Sequence, residues 1–344
     1  MRPFTFERIT DPVGAVSLAD PAGAVSPEPE RLPQYLAGGT NLLDLMKLDV
    51  MRPRTVIDIN RLRPEYGAIS ASERGLHLGA LVRMAEAAAH PAVQRDYPVL
   101  ASALVQAASA QLRNMASLAG NVLQRTRCNY FRDTSWTACN KRTPGSGCAA
   151  IPGVNRRLAV LGVSDHCIAH YPGDFAIALI ALGAEVNLFG AGNTTRTLPM
   201  DELHRLPGET PHIETNLATG ELITGFRIPA GPWTRRSVYV KVRDRTSYDF
   251  ALASAAVALH LDGPRVVEAR IGIGGLATKP WRSHAAEAAL NERNLDEASA
   301  REAAEAAFTG AVTHGENAFK PELGRRTVVR ALLEAARMEV ADGR

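Results

Sequence analysis

Apolar positions along the chain change period repeatedly, and each change marks an element. Tyr35-Leu36-Ala37 is a short apolar run that meets Gly38-Gly39 and Thr40-Asn41, after which Leu42, Leu45 and Met46 recur at helical spacing. That pattern reads as strand, tight turn, helix. Val56-Ile57-Asp58-Ile59 reads as a second short strand, and Leu76 and Leu78 alternate in a third. An Ala-rich helix is predicted from Leu81 to about His90, and a longer one from Tyr97 to Ala110. Asp174–Leu179 opens an amphipathic helix, with strands around Ala184–Leu188 and Glu221–Ile228. Past the breaker Pro229-Ala230-Gly231-Pro232 come an extended Ser237–Val242, a segment over Ala251–Leu261 that fits helix or strand, and a strand at Val266–Ile273. Ala-rich helices over His284–Phe308 and Arg325–Val340 close the chain. The stretch before Gln34 is punctuated by Pro21, Pro27, Pro29 and Pro33, and no internal repeat is visible. The mixed order of strands and helices predicts an α+β protein of two domains, residues 1–229 and 234–342.

Composition narrows the class. With 46% apolar and 22% charged residues the chain is globular rather than disordered. A balance of 39 basic against 36 acidic residues gives no electrostatic footprint for nucleic acid. The longest apolar stretch, Phe175 to Gly183, is about half a membrane span, so no membrane insertion is expected. The opening Met1–Arg8 lacks an apolar core, and the expectation is a chain without an export signal of its own.

Two segments have the chemistry of an anion cradle. Gly38 and Gly39 can take positive φ and let backbone approach a ligand, while Thr40 and Asn41 add side-chain hydrogen bonds at the start of a helix whose free N–H groups point outward. An ordinary strand-to-helix turn explains the same residues. Gln111–Asn121 packs small and polar residues after a helix, where Ser117, Gly120 and Asn121 offer amides and short side chains; by itself it reads as a buried loop. Gly272-Ile273-Gly274-Gly275-Leu276-Ala277 imitates the dinucleotide fingerprint, but Thr278-Lys279-Pro280 follows where a helix must open, so it reads as a glycine-rich strand and turn.

All four cysteines fall between residues 128 and 167, in a stretch of irregular texture. Cys128, Cys139, Cys148 and Cys167 are separated by 10, 8 and 18 residues, which match neither a zinc ribbon nor a ferredoxin run. The spacing leaves open one [4Fe-4S] cluster, two disulfides, a zinc site using His166 or His170, or four unrelated buried thiols.

Taken together, these segments resemble the FAD-binding medium subunit of the xanthine dehydrogenase family of molybdenum hydroxylases, over nearly the whole chain. Ala37-Gly38-Gly39-Thr40-Asn41-Leu42-Leu43 and Gln111–Asn121 are similar to the family's two FAD loops. The resemblance implies that FAD is held by Tyr35, Leu36 and Ala37–Leu43 of the first loop and by Ser117, Leu118, Gly120 and Asn121 of the second. Asp174 resembles the family's flavin-contacting aspartate, and Lys241 resembles the lysine near the isoalloxazine ring, where its charge would favour the anionic reduced flavin. A surface ion pair of Lys241 with Asp244 or Asp249 is the plain alternative.

The four-cysteine insertion, at about 122–168, resembles that of the flavin subunits of periplasmic aldehyde oxidoreductases and, more loosely, of 4-hydroxybenzoyl-CoA reductases. It implies one [4Fe-4S] cluster on Cys128, Cys139, Cys148 and Cys167. The implied fold is a PCMH-type FAD-binding domain of two α/β subdomains, followed by a smaller α+β domain like the C-terminal domain of the CO dehydrogenase flavoprotein.

The implied function is an electron-transfer subunit of an aldehyde oxidoreductase, with no catalytic residue of its own. A large molybdopterin subunit would oxidise aldehyde to carboxylic acid, and a small subunit with two [2Fe-2S] centres would relay electrons to FAD, the three forming a heterotrimer. A small-molecule or protein acceptor such as oxygen, a quinone or ferredoxin would then take them, since no second dinucleotide motif suggests NAD. The expected location is the periplasm, reached with a signal-bearing partner, with the cytoplasm as the alternative. A stand-alone PCMH-type FAD oxidase would usually carry a His or Cys for covalent flavin attachment near the first loop, and neither occurs between Tyr35 and Met46. A zinc-stabilised module without flavin leaves both loops without a role.

Overall fold

The computed structural model describes residues 1–20 and 31–340. Pro21, Pro27 and Pro29, and the last two residues of the predicted second domain, lie outside the described residues. Three sheets organise the described residues. The first is parallel, with Thr55–Asp58 between Thr5–Arg8 and Gln34–Leu36. Val56 and Ile57 are fully buried, as the centre of a parallel sheet demands. The second is antiparallel, in the order Ile69–Ser72, Gly75–Gly79, Leu222–Pro229, Glu185–Gly190, Thr194–Pro199. The third is also antiparallel and runs Trp281–Arg282, Arg265–Gly274, Ala253–Asp262, Ser237–Val242.

The ambiguous segment after Ala251 is the Ala253–Asp262 strand, buried on both faces. Ala255, Val257 and Leu259 pack on Val328, Ala331, Leu332 and Ala335 of the Lys320–Ala336 helix, while Ala256 and Ala258 face the core around the Asp174–Ala181 helix. Burial on both sides removes the alternation by which a half-exposed strand is recognised. All eight residues of Asp174–Ala181 are buried. This helix lies so close to the third sheet that a Cβ on Gly272 would stand 2.5 Å from the Ile177 carbonyl oxygen. The glycines of the false fingerprint thus serve packing: they lie in the Arg265–Gly274 strand, and Gly275 turns the chain with φ +72°.

Several elements differ from the sequence reading. Thr5–Arg8 and Pro12–Ala19 form a strand and a helix capped by Asp11 inside the proline-punctuated start. The strand is mostly exposed, so no apolar alternation betrays it. The helix expected over Tyr97–Ala110 is Pro98–Gln106, because Ala108 takes φ +50° and Ser109 caps a new helix, Ala110–Met115. The expected buried loop at Gln111–Asn121 is the helix Ala110–Met115 followed by the short helix Leu118–Val122, with Ser117 Oγ accepting from the Gly120 amide. The single helix expected over His284–Phe308 is two, His284–Leu290 and Glu297–Ala307, interrupted where Glu292 takes φ +60° and Asn294 bridges to Arg265. The last helix opens earlier than expected, at Lys320 with Pro321 in its first turn.

Candidate functional site

The two loops predicted to cradle an anion meet in space. Gly39 has φ +72°, turning the chain from the Gln34–Leu36 strand into the Leu42–Lys47 helix. At Gly38 the second loop is so close that an added Cβ would lie 2.0 Å from the Met115 carbonyl oxygen and 3.1 Å from Ala116 Cα. A suture of side chains holds this contact. Asn60 Nδ2 donates to the Ala37 carbonyl at 2.9 Å, Arg83 Nη2 donates to Asn60 Oδ1 at 2.9 Å, and Arg83 Nη1 donates to the Met115 carbonyl at 2.5 Å. Neither Asn60 nor Arg83 carried a sequence signal.

Two cavities flank this junction. The first, about 210 Å³, has Tyr35, Leu36, Leu42, Leu81, Leu222 and Ile223 among its walls. The second, about 530 Å³, is walled in part by Ala107, Ala108, Leu112, Pro172, Asp174 and Phe250. Thr40, Asn41 and Gly120 line both. The result is a cleft of two lobes that share a polar waist, the first largely apolar and the second lined also by Asp44, Arg127, Arg132 and Asp249, within the size range of small-molecule sites. The amides of Gly38, Gly39, Thr40 and Asn41 donate to no protein group among the described residues. Asn41 Nδ2 and Asn121 Oδ1 are buried without a partner. Unpartnered polar atoms in a cleft mark a place for a polar ligand. The second loop contributes differently from expectation: the Gly120 amide is bonded to Ser117 Oγ and the Asn121 amide to the Ser117 carbonyl. What it presents is the Asn121 side chain and the close approach that Gly120 permits. Leu118 is buried in the core beneath the cleft.

Asp174 borders the second cavity from the start of the buried helix, 4% exposed. Lys241 Nζ donates to Asp174 Oδ2 at 2.7 Å and to the Gln106 carbonyl at 3.0 Å. The surface pairing of Lys241 with Asp244 or Asp249 does not occur: those carboxylates take Arg156 and Arg157. Burial pushes the Asp174 carboxyl up from its ordinary value, against the pull of Lys241 and of Tyr239.

The cysteine loop packs directly behind the first FAD-type loop. Cys128, Cys139 and Cys167 are buried in one apolar cluster with Leu45, Met46, Val50 and Met51, and Cys148 packs against it. All four are free thiols, which sets aside the two disulfides. Cys139 and Cys148 face each other across a short antiparallel bridge, closed by Asn140 N to Gly147 O at 2.7 Å and turned by Gly145 and Gly147 at φ +82° and +92°. Burial pushes the Cys128 thiol up to about 12 and Cys167 to about 11. Such thiols ionise only when a cation compensates them. Among the described residues no group of three or more His, Cys, Asp and Glu is arranged to hold a single metal ion. His166 and His170 therefore complete no zinc site there; burial holds His170 down to about 3.

Ion pairs tie this loop to the cleft. Asp44 of the Leu42–Lys47 helix accepts from Arg127 at 3.3 Å and Arg132 at 2.8 Å, on either side of Cys128. The Arg125 amide donates to Asn41 Oδ1 at 3.2 Å, and its guanidinium joins Lys141 in holding Glu214. Burial works against the Glu214 carboxylate, but the two cations outweigh it and hold it down to about 2.

Two lobes joined at an amide-rich waist, one of them backed by a buried carboxylate–lysine pair, suit an elongated ligand with a polar centre. Residues 15–231 match the model of the FAD binding domain in molybdopterin dehydrogenase, and residues 238–335 that of the CO dehydrogenase flavoprotein C-terminal domain. The chain belongs to this family of FAD-binding subunits. It is 44% identical to the aldehyde oxidoreductase FAD-binding subunit PaoB of Escherichia coli (strain K12), over 97% of this chain and 99% of that protein. It is 26% identical to the glyceraldehyde dehydrogenase medium chain of Sulfolobus acidocaldarius, over 89% and 90% of the two chains. Among solved structures, a chain of carbon monoxide dehydrogenase from Hydrogenophaga pseudoflava superposes with a TM-score of 0.73 at 26% identity, over 97% of this chain and 98% of that one.

Proposed function

We propose that this chain is the FAD- and [4Fe-4S]-bearing electron-transfer subunit of an aldehyde-oxidising molybdenum hydroxylase. The observation that carries the reading is the polar waist between the two lobes, where Asn41 and Asn121 keep unpartnered buried atoms. Bound FAD would exchange electrons between one-electron carriers and a two-electron acceptor. The chain's own residues position it. Gly38, Gly39, Thr40 and Asn41 present free amides to the pyrophosphate, and Asn121 and Ser117 close the waist from the other side. Tyr35, Leu36, Leu42 and their neighbours wall the adenine lobe. Asp174, with Lys241 behind it, sets the charge in the isoalloxazine lobe.

The similarity to PaoB supports aldehydes as the substrates of the complex. In this reading a large molybdopterin subunit and a small subunit with [2Fe-2S] centres complete a heterotrimer, which is exported with a signal-bearing partner and acts in the periplasm on a small-molecule or protein acceptor. The gathering of all four cysteines at one apolar patch, with cationic Arg127, Arg132 and Lys141 nearby, supports a [4Fe-4S] cluster, whose cysteines stand apart around an inorganic core rather than converging on one ion.

The test is flavin, iron and acid-labile sulfide content of protein purified from separated periplasmic and cytoplasmic fractions, wild type beside Cys139→Ser. The expected result is one FAD and about four iron per chain in the periplasmic fraction, with iron lost and FAD kept in the variant. Absence of flavin overturns the reading, flavin without iron confines it to FAD, and recovery only from the cytoplasm refutes the location.

A further inference from the structure

Asp174 is gripped from two sides. Tyr239 and Lys241 stand two residues apart on the Ser237–Val242 strand and so share a face. Tyr239 Oη donates to Asp174 Oδ1 at 2.6 Å, while Lys241 takes Oδ2. A tyrosine has one proton to give, so the contact of 2.9 Å between Tyr239 Oη and Ser254 Oγ must run the other way, with the serine donating. Ser254, Tyr239 and Asp174 form a directed chain of hydrogen bonds, 1%, 5% and 4% exposed, and Asp174 is the member that borders the cavity.

We infer that Tyr239 is a positioning residue that fixes the orientation and the charge of Asp174, and through it the electrostatic field in the second lobe of the cleft. The inference rests on the proposal that this lobe receives the redox-active ring of FAD. Its basis is the pairing itself. With Asp174 ionised, the carboxylate and the Lys241 ammonium cancel, and the pair adds no net charge to a lobe also lined by Asp44, Arg127, Arg132 and Asp249. With Asp174 protonated, Lys241 is left unbalanced and the lobe is one charge more positive, which favours the reduced, more electron-rich state of a bound redox group.

The groups that act on Asp174 are Lys241, Tyr239, the more distant Arg243, and Tyr171, whose hydroxyl is committed to the Val122 carbonyl. Burial already favours the neutral acid, and the two donors resist it. Withdrawal of one neutral donor from a buried carboxylate therefore tips the balance, while leaving the ion pair in place.

The experiment is a spectroelectrochemical titration of the flavin against pH in the purified, FAD-loaded complex, comparing wild type with Tyr239→Phe, which keeps the ring and its packing. The variant is expected to raise the flavin midpoint potential. It should also move the break in potential against pH upward by about one unit, the mark of a roughly tenfold change in proton affinity. Asp174→Asn should abolish the break, and adding Tyr239→Phe to it should change nothing further. Ser254→Ala should give a smaller shift in the same direction, and carries the test if Tyr239→Phe does not hold FAD. An unchanged potential and break in an FAD-loaded Tyr239→Phe protein overturns the inference, as does an equal shift in the Asp174→Asn background. Failure of the wild type to bind FAD instead refutes the proposed function.

Discussion

Replacement of Gly38 by alanine tests whether the contact between the two loops is what shapes the cleft. The new methyl carbon would stand 2.0 Å from the Met115 carbonyl oxygen and 2.6 Å from its carbonyl carbon. Carbon–oxygen contacts in proteins close to about 3.3 Å, so the loops must part by roughly 1 Å or more. Neither side yields easily. Met115 O is held by Arg83, and Ala37 by Asn60, so parting the loops strains the suture as well. Overpacking of this kind costs about 1–3 kcal/mol. Its effect on the ligand should be larger, because the waist amides and the Asn121 side chain, which act together on one group, move apart. A loss of about 3 kcal/mol in binding corresponds to a Kd for FAD more than a hundredfold weaker. Fluorescence titration of deflavinated protein with FAD measures it, and FAD-dependent shifts in Tm give an independent reading. Wild-type FAD affinity in Gly38→Ala would refute the assignment of the contact as the determinant of the cleft.

Two further outcomes follow from the ion pairs and the buried lysine. Glu214 lies well below the ordinary carboxylate pKa in the fold, so its stabilisation is full above about pH 4.5 and drains away as pH falls toward 2. Glu214→Gln should cost on the order of 2 kcal/mol at neutral pH, discounted for its partial exposure, and flatten acid unfolding in that window; an unchanged acid limb in urea titrations sinks this account. Lys320 is fully buried, and its ammonium donates to the carbonyls of Arg157, Leu158 and Gly275 at 3.0, 2.9 and 2.6 Å. Lys320→Met should lower stability by about 2–4 kcal/mol, because three carbonyls lose their donor, and a Tm within a degree of wild type would contradict it.

Much of this was legible in the chain because local chemistry and global position agree. Gly38-Gly39 followed by Leu42, Leu45 and Met46 reads as a turn into a helix, and it is one. The run from Asp174 reads as the start of a helix, and it is one, though not the amphipathic helix expected: all its residues are buried. What escaped reading depends on distant partners. Asn60 and Arg83 look like ordinary surface residues until the fold sets them between two loops. Tyr239 is one aromatic among alternating strand residues, and only the register opposite Ala256, with Asp174 beyond, shows what its hydroxyl meets. The helix breaks at Ala108 and Glu292 rest on non-glycine residues in the left-handed region, a conformation that tertiary packing imposes and composition does not announce.

The three carbonyls on Lys320 have company. The Val160 and Leu161 amides donate to the Leu276 carbonyl, the Tyr171 amide to Ala277, the Val312 amide to Val160, and Asn317 Nδ2 to Ala159. The far end of the cysteine loop is thus woven into the C-terminal part of the chain before it returns to start the Asp174 helix. A loop anchored that way cannot be transplanted alone. Grafted onto a scaffold that lacks Lys320 and Asn317, it would arrive with residues 157–161 unmoored, so the loop and a part of the protein more than a hundred residues downstream form one structural unit.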